Sequence, residues 1–313
     1  MAVQGSSRGR GHVWLVLLAV LGAALGSLLA LAQWDSAARA DEQVGRGHRI
    51  SLERNADPTF QHELSGATNR GDIEPEVVGG TPVPDGAYPF MAFLEITNRD
   101  GSINRCGGTL IDPDSVLTAA HCVPNAQKVL LSVGRTVVSE SQGQLRSVRY
   151  VFTHPSYNPQ NFAYDAAVLK LYSPVTGIKP IKLATAKQNK LETPGHTLKA
   201  AGWGSRSEGG KLQFSDRMRV VSLPVVSDGT ARRAYSSLQG GSYFPSLMIA
   251  AGEKGKGACY GDSGGPLFNP GSTSTQVGIV SHGHICAGAG FPAVFTEVNN
   301  PAVRTFILKA ARS

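Results

Sequence analysis

The chain has 313 residues, 41% hydrophobic and 17% charged, which allows a sizeable buried core and excludes a largely disordered polymer. Its 37 glycines and 18 prolines imply frequent turns, and so favour an all-β architecture over long helices. The formal charge of +7 comes without a Lys/Arg run or interleaved aromatic and basic residues, so nucleic acid is not expected as a partner.

In chain order, Arg8 and Arg10 precede an apolar run from Val13 to Ala32, and Ala38-Arg39-Ala40 sets small residues at both positions of a cleavage site. This predicts an export signal over residues 1–40, cut after Ala40, with Ala32 as the alternative. The run approaches bilayer-spanning length, so the competing expectation is an uncleaved anchor holding an external domain; only then would a membrane be a partner. Gly22, Gly26 and Ser27 inside the run favour cleavage. Residues 41–76 are polar, hold several glycines and few large apolar side chains, and cannot bury a core of their own. Taken alone they read as a linker.

After Val77 the texture changes. Short apolar runs recur at Phe90–Leu94, Val129–Val133, Arg149–Phe152, Ala167–Leu171, Val220–Val226, Val277–Ser281 and Ala293–Val298, separated by Gly, Pro, Asn and Asp. These predict strands. Only the C-terminus reads as helical: Asn300 is a cap, Pro301 suits the first turn, and Val303, Phe306, Ile307 and Ala310 share one face. The four cysteines, Cys106, Cys122, Cys259 and Cys286, are even in number and contain no Cys-x-x-Cys, which favours disulfides over zinc or redox chemistry. Four cysteines permit three pairings, and spacing does not choose among them.

Three segments carry chemistry. In Gly261-Asp262-Ser263-Gly264-Gly265-Pro266, glycines beside a serine allow a sharp bend that aims the Gly261 and Ser263 amides at one point, a donor pair for an oxyanion. Serine needs a base to take its proton, and His121, between small residues and Cys122, is the candidate. The base in turn needs a buried acceptor; Asp165 stands before the apolar run Ala166–Leu169, where an acid is costly unless paired.

These strings, Thr118-Ala119-Ala120-His121-Cys122, Asp165-Ala166-Ala167-Val168-Leu169 and Gly261–Pro266, resemble the three triad motifs of chymotrypsin/trypsin-like serine proteases, in the order that family uses. Val77-Val78-Gly79-Gly80, Cys106-Gly107-Gly108-Thr109-Leu110, His154–Asn158, Ala201-Gly202-Trp203-Gly204 and Gly278–Ser281 extend the likeness over residues 77–313, in a style most similar to bacterial secreted members. The resemblance implies two six-stranded antiparallel β-barrels with a C-terminal helix. It implies His121, Asp165 and Ser263 as the triad and Gly261 with Ser263 as the oxyanion hole. It also pairs Cys106 with Cys122 and Cys259 with Cys286. A further family disulfide is missing, its positions being Ala231 and Ala250.

The family is made as zymogens, which turns residues 41–76 into a propeptide. Cleavage before Val77 frees an ammonium that pairs with Asp262, a buried charge unfavourable without its partner. Glu76 departs from the Arg or Lys usual before that bond, so the activating protease is expected to tolerate Glu, or to cut near Arg70 with later trimming. The specificity pocket maps to Gly257, Ala258, Ser281, Gly283 and Ala293. Trypsin-like members place an Asp where this chain has Gly257, so a broad apolar preference before the scissile bond is expected. His282 stands where most relatives carry Trp. His282-Gly283-His284 lacks a third ligand, so neither a metal nor any other cofactor is expected. The implied product is a secreted serine endopeptidase acting on proteins or peptides, monomeric by family default. The rival reading is a catalytically weak homologue that binds a partner through the same fold.

Overall fold

A computed structural model of the chain describes residues 78–205, 214–238 and 242–313, with the backbone of residues 50–51. The export signal, Val77 and the expected propeptide, apart from that backbone pair, lie outside the described residues.

Each apolar run becomes a strand, and the strands close into two barrels. In the first, β3 (Met91–Asn98), β4 (Ile103–Asp112), β5 (Ser115–Thr118), β6 (Ala126–Val133), β7 (Gln144–Thr153) and β8 (Ala167–Leu171) run in the order β7-β6-β3-β4-β5-β8, and a β7–β8 pairing closes the ring. A short strand β1 (Ile50–Ser51) adds to β7 antiparallel at Val151 and Tyr150. In the second barrel, β10 (Thr197–Gly202), β11 (Arg219–Val226), β12 (Met248–Ala251), β13 (Pro266–Asn269), β14 (Thr275–His282) and β15 (Ala293–Glu297) run β10-β13-β14-β15-β12-β11, closed by β10–β11. Two short strands, β2 (Thr81–Pro82) and β9 (Lys182–Leu183), lie on β11 and β14. Closure removes the open sheet edges that would otherwise invite aggregation. Every residue of β8 is buried, which explains why Ala167–Leu171 is apolar but for Lys170 rather than alternating.

The C-terminal helix α2 (Pro301–Arg312) follows its sequence signals closely. Asn300 Oδ1 accepts from the amides of Ala302 and Val303, and Val303, Phe306, Ile307 and Ala310 are the buried face. Burial contributes about 1.5–3 kcal/mol for each of its large apolar side chains. Lys170 Nζ docks the end of this helix on the first barrel, donating to Ala311 O at 2.6 Å, to Asp114 Oδ1 at 2.8 Å and to Ser115 Oγ at 3.1 Å.

A second helix, α1 (Asp228–Ser236), corrects the expectation that only the C-terminus is helical. Ser227 caps it through the Thr230 amide. Its polar sequence buries only Ala231 and Tyr235, too few for a helical period to stand out from a Ser/Asp/Gly/Thr turn composition.

Disulfides join Cys106 to Cys122 and Cys259 to Cys286, with sequence separations of 16 and 27. Loops of that size are worth about 3 kcal/mol each in unfolded-state entropy. The positions of the missing disulfide are occupied by apolar packing: Ala231 and Ala250 are both fully buried in one cluster with Tyr235, Met248 and Val294. Among the described residues no helix is long and apolar enough to cross a membrane.

Candidate active site

His121 lies in a single 3-10 turn, Ala120–Cys122, directly after β5. Its two flanks are fixed: Ala120 and Cys122 are buried, and Cys122 is tied back to β4. The ring Nδ1 donates to Asp165 Oδ2 at 2.7 Å, and the backbone amide of His121 donates to the other carboxylate oxygen at 2.9 Å. This double contact sets the imidazole tautomer, leaving Nε2 as the basic nitrogen.

Asp165 is fully buried immediately before β8. The second barrel supplies its remaining partners. Ser281 Oγ donates to Oδ2 at 2.6 Å, and Thr296 Oγ1 donates to the Asp165 carbonyl at 3.0 Å. Burial alone pushes this carboxyl up, but the His121 charge and the hydrogen bonds from His121 and Ser281 outweigh it and hold the group below the ordinary carboxylate range. The loop before Asp165 is strained: Phe162 and Tyr164 both have left-handed φ, 56° and 57°. Two ring stacks hold it there, Tyr164 on His154 at 4.6 Å and Phe162 on His282 at 4.9 Å.

Ser263 comes from the loop before β13, and its carbonyl accepts from Gly107 of β4 at 2.7 Å. Gly107 in turn accepts from Thr118 Oγ1, at the end of β5 leading to His121. The nucleophile loop of the second barrel is thus seated on the segment of the first barrel that carries His121. Close seating explains Gly264. Its φ is +78°, and a Cβ there would lie 2.1 Å from Thr118 Oγ1 and 2.5 Å from Gly107 O. Gly261 also has a left-handed φ, +91°. Among the described residues, neither the Gly261 amide nor the Ser263 amide donates to a protein acceptor. Amides left open beside a half-buried serine are what an oxyanion hole requires.

Asp262 points the other way, into the second barrel. It is buried, and accepts from the Gly204 amide at 2.8 Å and the Cys259 amide at 2.9 Å. Burial pushes it up to about 6 despite those two bonds, and among the described residues no cation pairs with it. Its expected partner, Val77, lies outside the described residues; the neighbouring Val78 pairs with Gly257.

Of the pocket positions, Ala258 and Ala293 both pack on the core of the second barrel, while Gly257 is buried and Gly283 exposed. A Cβ on Gly283 would meet only Tyr235 Oη, at 4.0 Å, so the entrance is open there. The Cys259–Cys286 disulfide joins the segments that carry these residues. Lys256, near the pocket base, pairs with Glu253 at 2.8 Å, both side chains being about half exposed. Ser281, read from sequence as a pocket residue, has its hydroxyl committed to Asp165 instead.

Sulfur and imidazole atoms of Cys106, Cys122 and His121 lie within 4.8 Å of one another, but the two sulfurs are bonded together and offer no thiolate to a metal. His282 and His284 take separate partners, Ser242 with Phe162 and Phe291 respectively.

Sequence reading missed the roles of Phe162, Thr296 and Ser281 around Asp165. Only a polar residue at the end of a buried apolar strand hinted at Ser281.

The comparisons agree with this geometry. The trypsin family model matches residues 77–307. The chain is 38% identical to a trypsin of Saccharopolyspora erythraea over 71% of this chain and 93% of that protein. It is 36% identical to trypsin theta of Drosophila melanogaster over 79% and 92%, and 35% identical to trypsin alpha-4 of Lucilia cuprina over 77% and 89%. With two closed barrels, a histidine hydrogen-bonded to a buried aspartate and a serine loop of the second barrel seated on the first, this chain is a serine endopeptidase belonging to the trypsin family.

Proposed function

We propose that the protein is a secreted serine endopeptidase, made as a zymogen, that cleaves polypeptides after apolar residues through His121, Asp165 and Ser263. The observation that carries this reading is the His121–Asp165 hydrogen bond at 2.7 Å, together with a Ser263 loop seated on Gly107 in which the Ser263 and Gly261 amides are left open. In this mechanism His121 Nε2 takes the Ser263 hydroxyl proton as Oγ attacks the scissile carbonyl. The carbonyl oxygen gains negative charge and receives the Gly261 and Ser263 amides. The imidazolium, steadied by Asp165, returns its proton to the leaving amine, and water then repeats the sequence on the acyl-enzyme.

The Gly257 base and the small Ala258 and Ala293 walls support the apolar preference. The relatives carry trypsin names, but the position where trypsin-like members hold an Asp is uncharged here. Discrimination of about 1–3 kcal/mol per methylene makes that preference broad. The pattern in residues 1–40 and two disulfides support export. Zymogen control rests on Asp262: an ammonium at Val77 would relieve a buried charge that otherwise lacks a counter-ion. The activating protease is one that accepts Glu76, or one that cuts near Arg70.

A sulfonyl fluoride probe tests the nucleophile. Mass spectrometry of the active protein should find one adduct, on Ser263, absent from Ser263→Ala and suppressed below the pH at which the base protonates. An adduct on another serine, with Ser263 unmodified, would overturn the reading.

A further inference from the structure

His282, at the end of β14, is not used by the mechanism above, yet both of its ring nitrogens face oxygen. Nε2 is 3.1 Å from the backbone carbonyl of Ser242, which can only accept, so that nitrogen carries a proton. Nδ1 is 3.3 Å from Ser281 Oγ. Ser281 has one hydroxyl proton, and its 2.6 Å contact with the Asp165 carboxylate is the shorter and charge-assisted one. With that proton committed to Asp165, Ser281 Oγ turns a lone pair towards Nδ1. A neutral imidazole cannot satisfy both contacts, because its single proton is already on Nε2; an imidazolium satisfies both.

The surroundings weigh both ways. The ring stacks on Phe162 at 4.9 Å with 20° between planes, and meets Tyr235 of α1 edge-on at 5.7 Å. An aromatic face favours the cation. The titratable groups that face His282 are Asp165 and His121, both reached across Ser281, and Tyr235, whose hydroxyl is turned away to the Pro292 carbonyl at 2.7 Å. Burial is the largest influence and holds the ring's affinity for a proton below the ordinary imidazole range; the Ser242 carbonyl and Asp165 act against that, while a protonated His121 reinforces it, so His282 takes its proton on the acid side.

We propose that His282 is a proton-sensitive positioning residue: through Ser281 it sets how fully Asp165 is hydrogen-bonded, and so tunes the basicity of His121. When His282 is neutral, its Nδ1 lone pair stands against a lone pair of Ser281 Oγ, whose proton goes to Asp165. When His282 takes a proton, Nδ1–H donates to Ser281 Oγ, the hydroxyl that Asp165 accepts becomes a stronger donor, and a positive charge stands two hydrogen bonds from the carboxylate. Each change stabilises the Asp165 charge by means other than His121 and weakens His121 as a base. The acid limb of activity therefore responds to two protons, one on each histidine. This inference rests on His121 being the base.

The test combines two readouts on the active protease. In the pH dependence of kcat/KM, the wild-type acid limb should be shallower than a single protonation where His282 titrates, with a local slope in log units below about 1, and His282→Phe, which keeps a ring against Phe162, should return it to about 1. Ser281→Ala, which removes the bridge and keeps His282, should do the same, with the larger effect on kcat rather than KM. The second readout is the imidazole nitrogen and Nδ1-proton resonances. His282 should be protonated on Nε2 when neutral, and the His121 Nδ1–H resonance should move in the pH range where His282 titrates. A single-proton limb identical in wild type and His282→Phe, with a His121 resonance indifferent to His282, would overturn the proposal. The resonances can be followed without turnover, so failure of the triad itself would appear separately, as an inert protein whose His282 still titrates.

Discussion

The two barrels contribute to the site in different ways. The first delivers His121 and Asp165 from the ends of fully buried strands, β5 and β8, already hydrogen-bonded to each other through two contacts. The second delivers Ser263 on a loop of positive-φ glycines and places beside it a carboxylate, Asp262, buried with two amides and, among the described residues, no cation. One half of the site is complete as folded, and the other holds a charge whose stabilisation is incomplete. The proposed zymogen control would use this asymmetry, with the base pre-built while the oxyanion loop waits for a counter-ion.

The largest test breaks the first half. Asp165→Asn should leave the fold intact and lower kcat by about 10⁴, because the amide favours the wrong tautomer of His121. Circular dichroism with active-site titration separates that loss from unfolding.

The second test breaks the switch. In the proposed activation Asp262→Asn removes the partner for the new terminus, and loss of one member of a buried pair costs about 3–5 kcal/mol, roughly 10²–10⁴-fold in kcat/KM. The His121 Nδ1–H resonance should survive, since none of the hydrogen bonds of His121 and Asp165 involves Asp262. Asp262 also predicts a pH effect confined to the uncleaved precursor. Its folded pKa of about 6 lies above the ordinary 3.8, so the folded state binds more protons across that window and stability falls as pH rises through it. The loss is about 3 kcal/mol in all, and cleavage should recover it at neutral pH. Denaturant titrations of precursor and product at pH 5 and pH 8 measure this directly.

The third test strikes the seam. Gly264→Ala forces a Cβ against Thr118 Oγ1 and Gly107 O in a left-handed backbone, and should cost about 3 kcal/mol in stability together with most activity. The smallest test lies away from the seam. Glu192 and Glu297 face each other; burial pushes Glu192 up to about 7, and burial with the Glu192 charge pushes Glu297 up to about 8. Values raised from the ordinary 4.5 mean that stability falls as pH rises from there to about 8. Glu297→Gln should remove that slope without touching activity, raising Tm at pH 9 by about 2–4 °C, the equivalent of about 1 kcal/mol after allowance for solvent screening.

How much of this was legible in the sequence depended on whether the signal was local. The buried strands read correctly because Ala167–Leu171 and Val277–Ser281 are mostly apolar, broken only by Lys170 and ended by Ser281, and α2 read correctly because Asn300, Pro301 and an apolar face all agree. The helix α1 escaped because its two buried residues sit among turn formers. The segments carrying His121, Asp165 and Ser263 stood out because each places a polar residue against small or apolar neighbours. The contacts of Ser281, Thr296, Phe162 and His282 with the Asp165 loop did not, since they exist only where two barrels separated by many residues meet. Disulfide pairing likewise came from resemblance, because spacing alone leaves three choices open.

The central claim, a triad protease with an uncharged pocket, is tested most directly by peptide turnover. The form beginning at Val77 would be assayed on a panel varied only at the residue before the scissile bond, with Ser263→Ala as control. The account predicts cleavage after apolar residues from Ala to Leu, Met or Phe, abolished in the control. Turnover that persists in Ser263→Ala, or a strong preference for Arg or Lys despite Gly257, would contradict it.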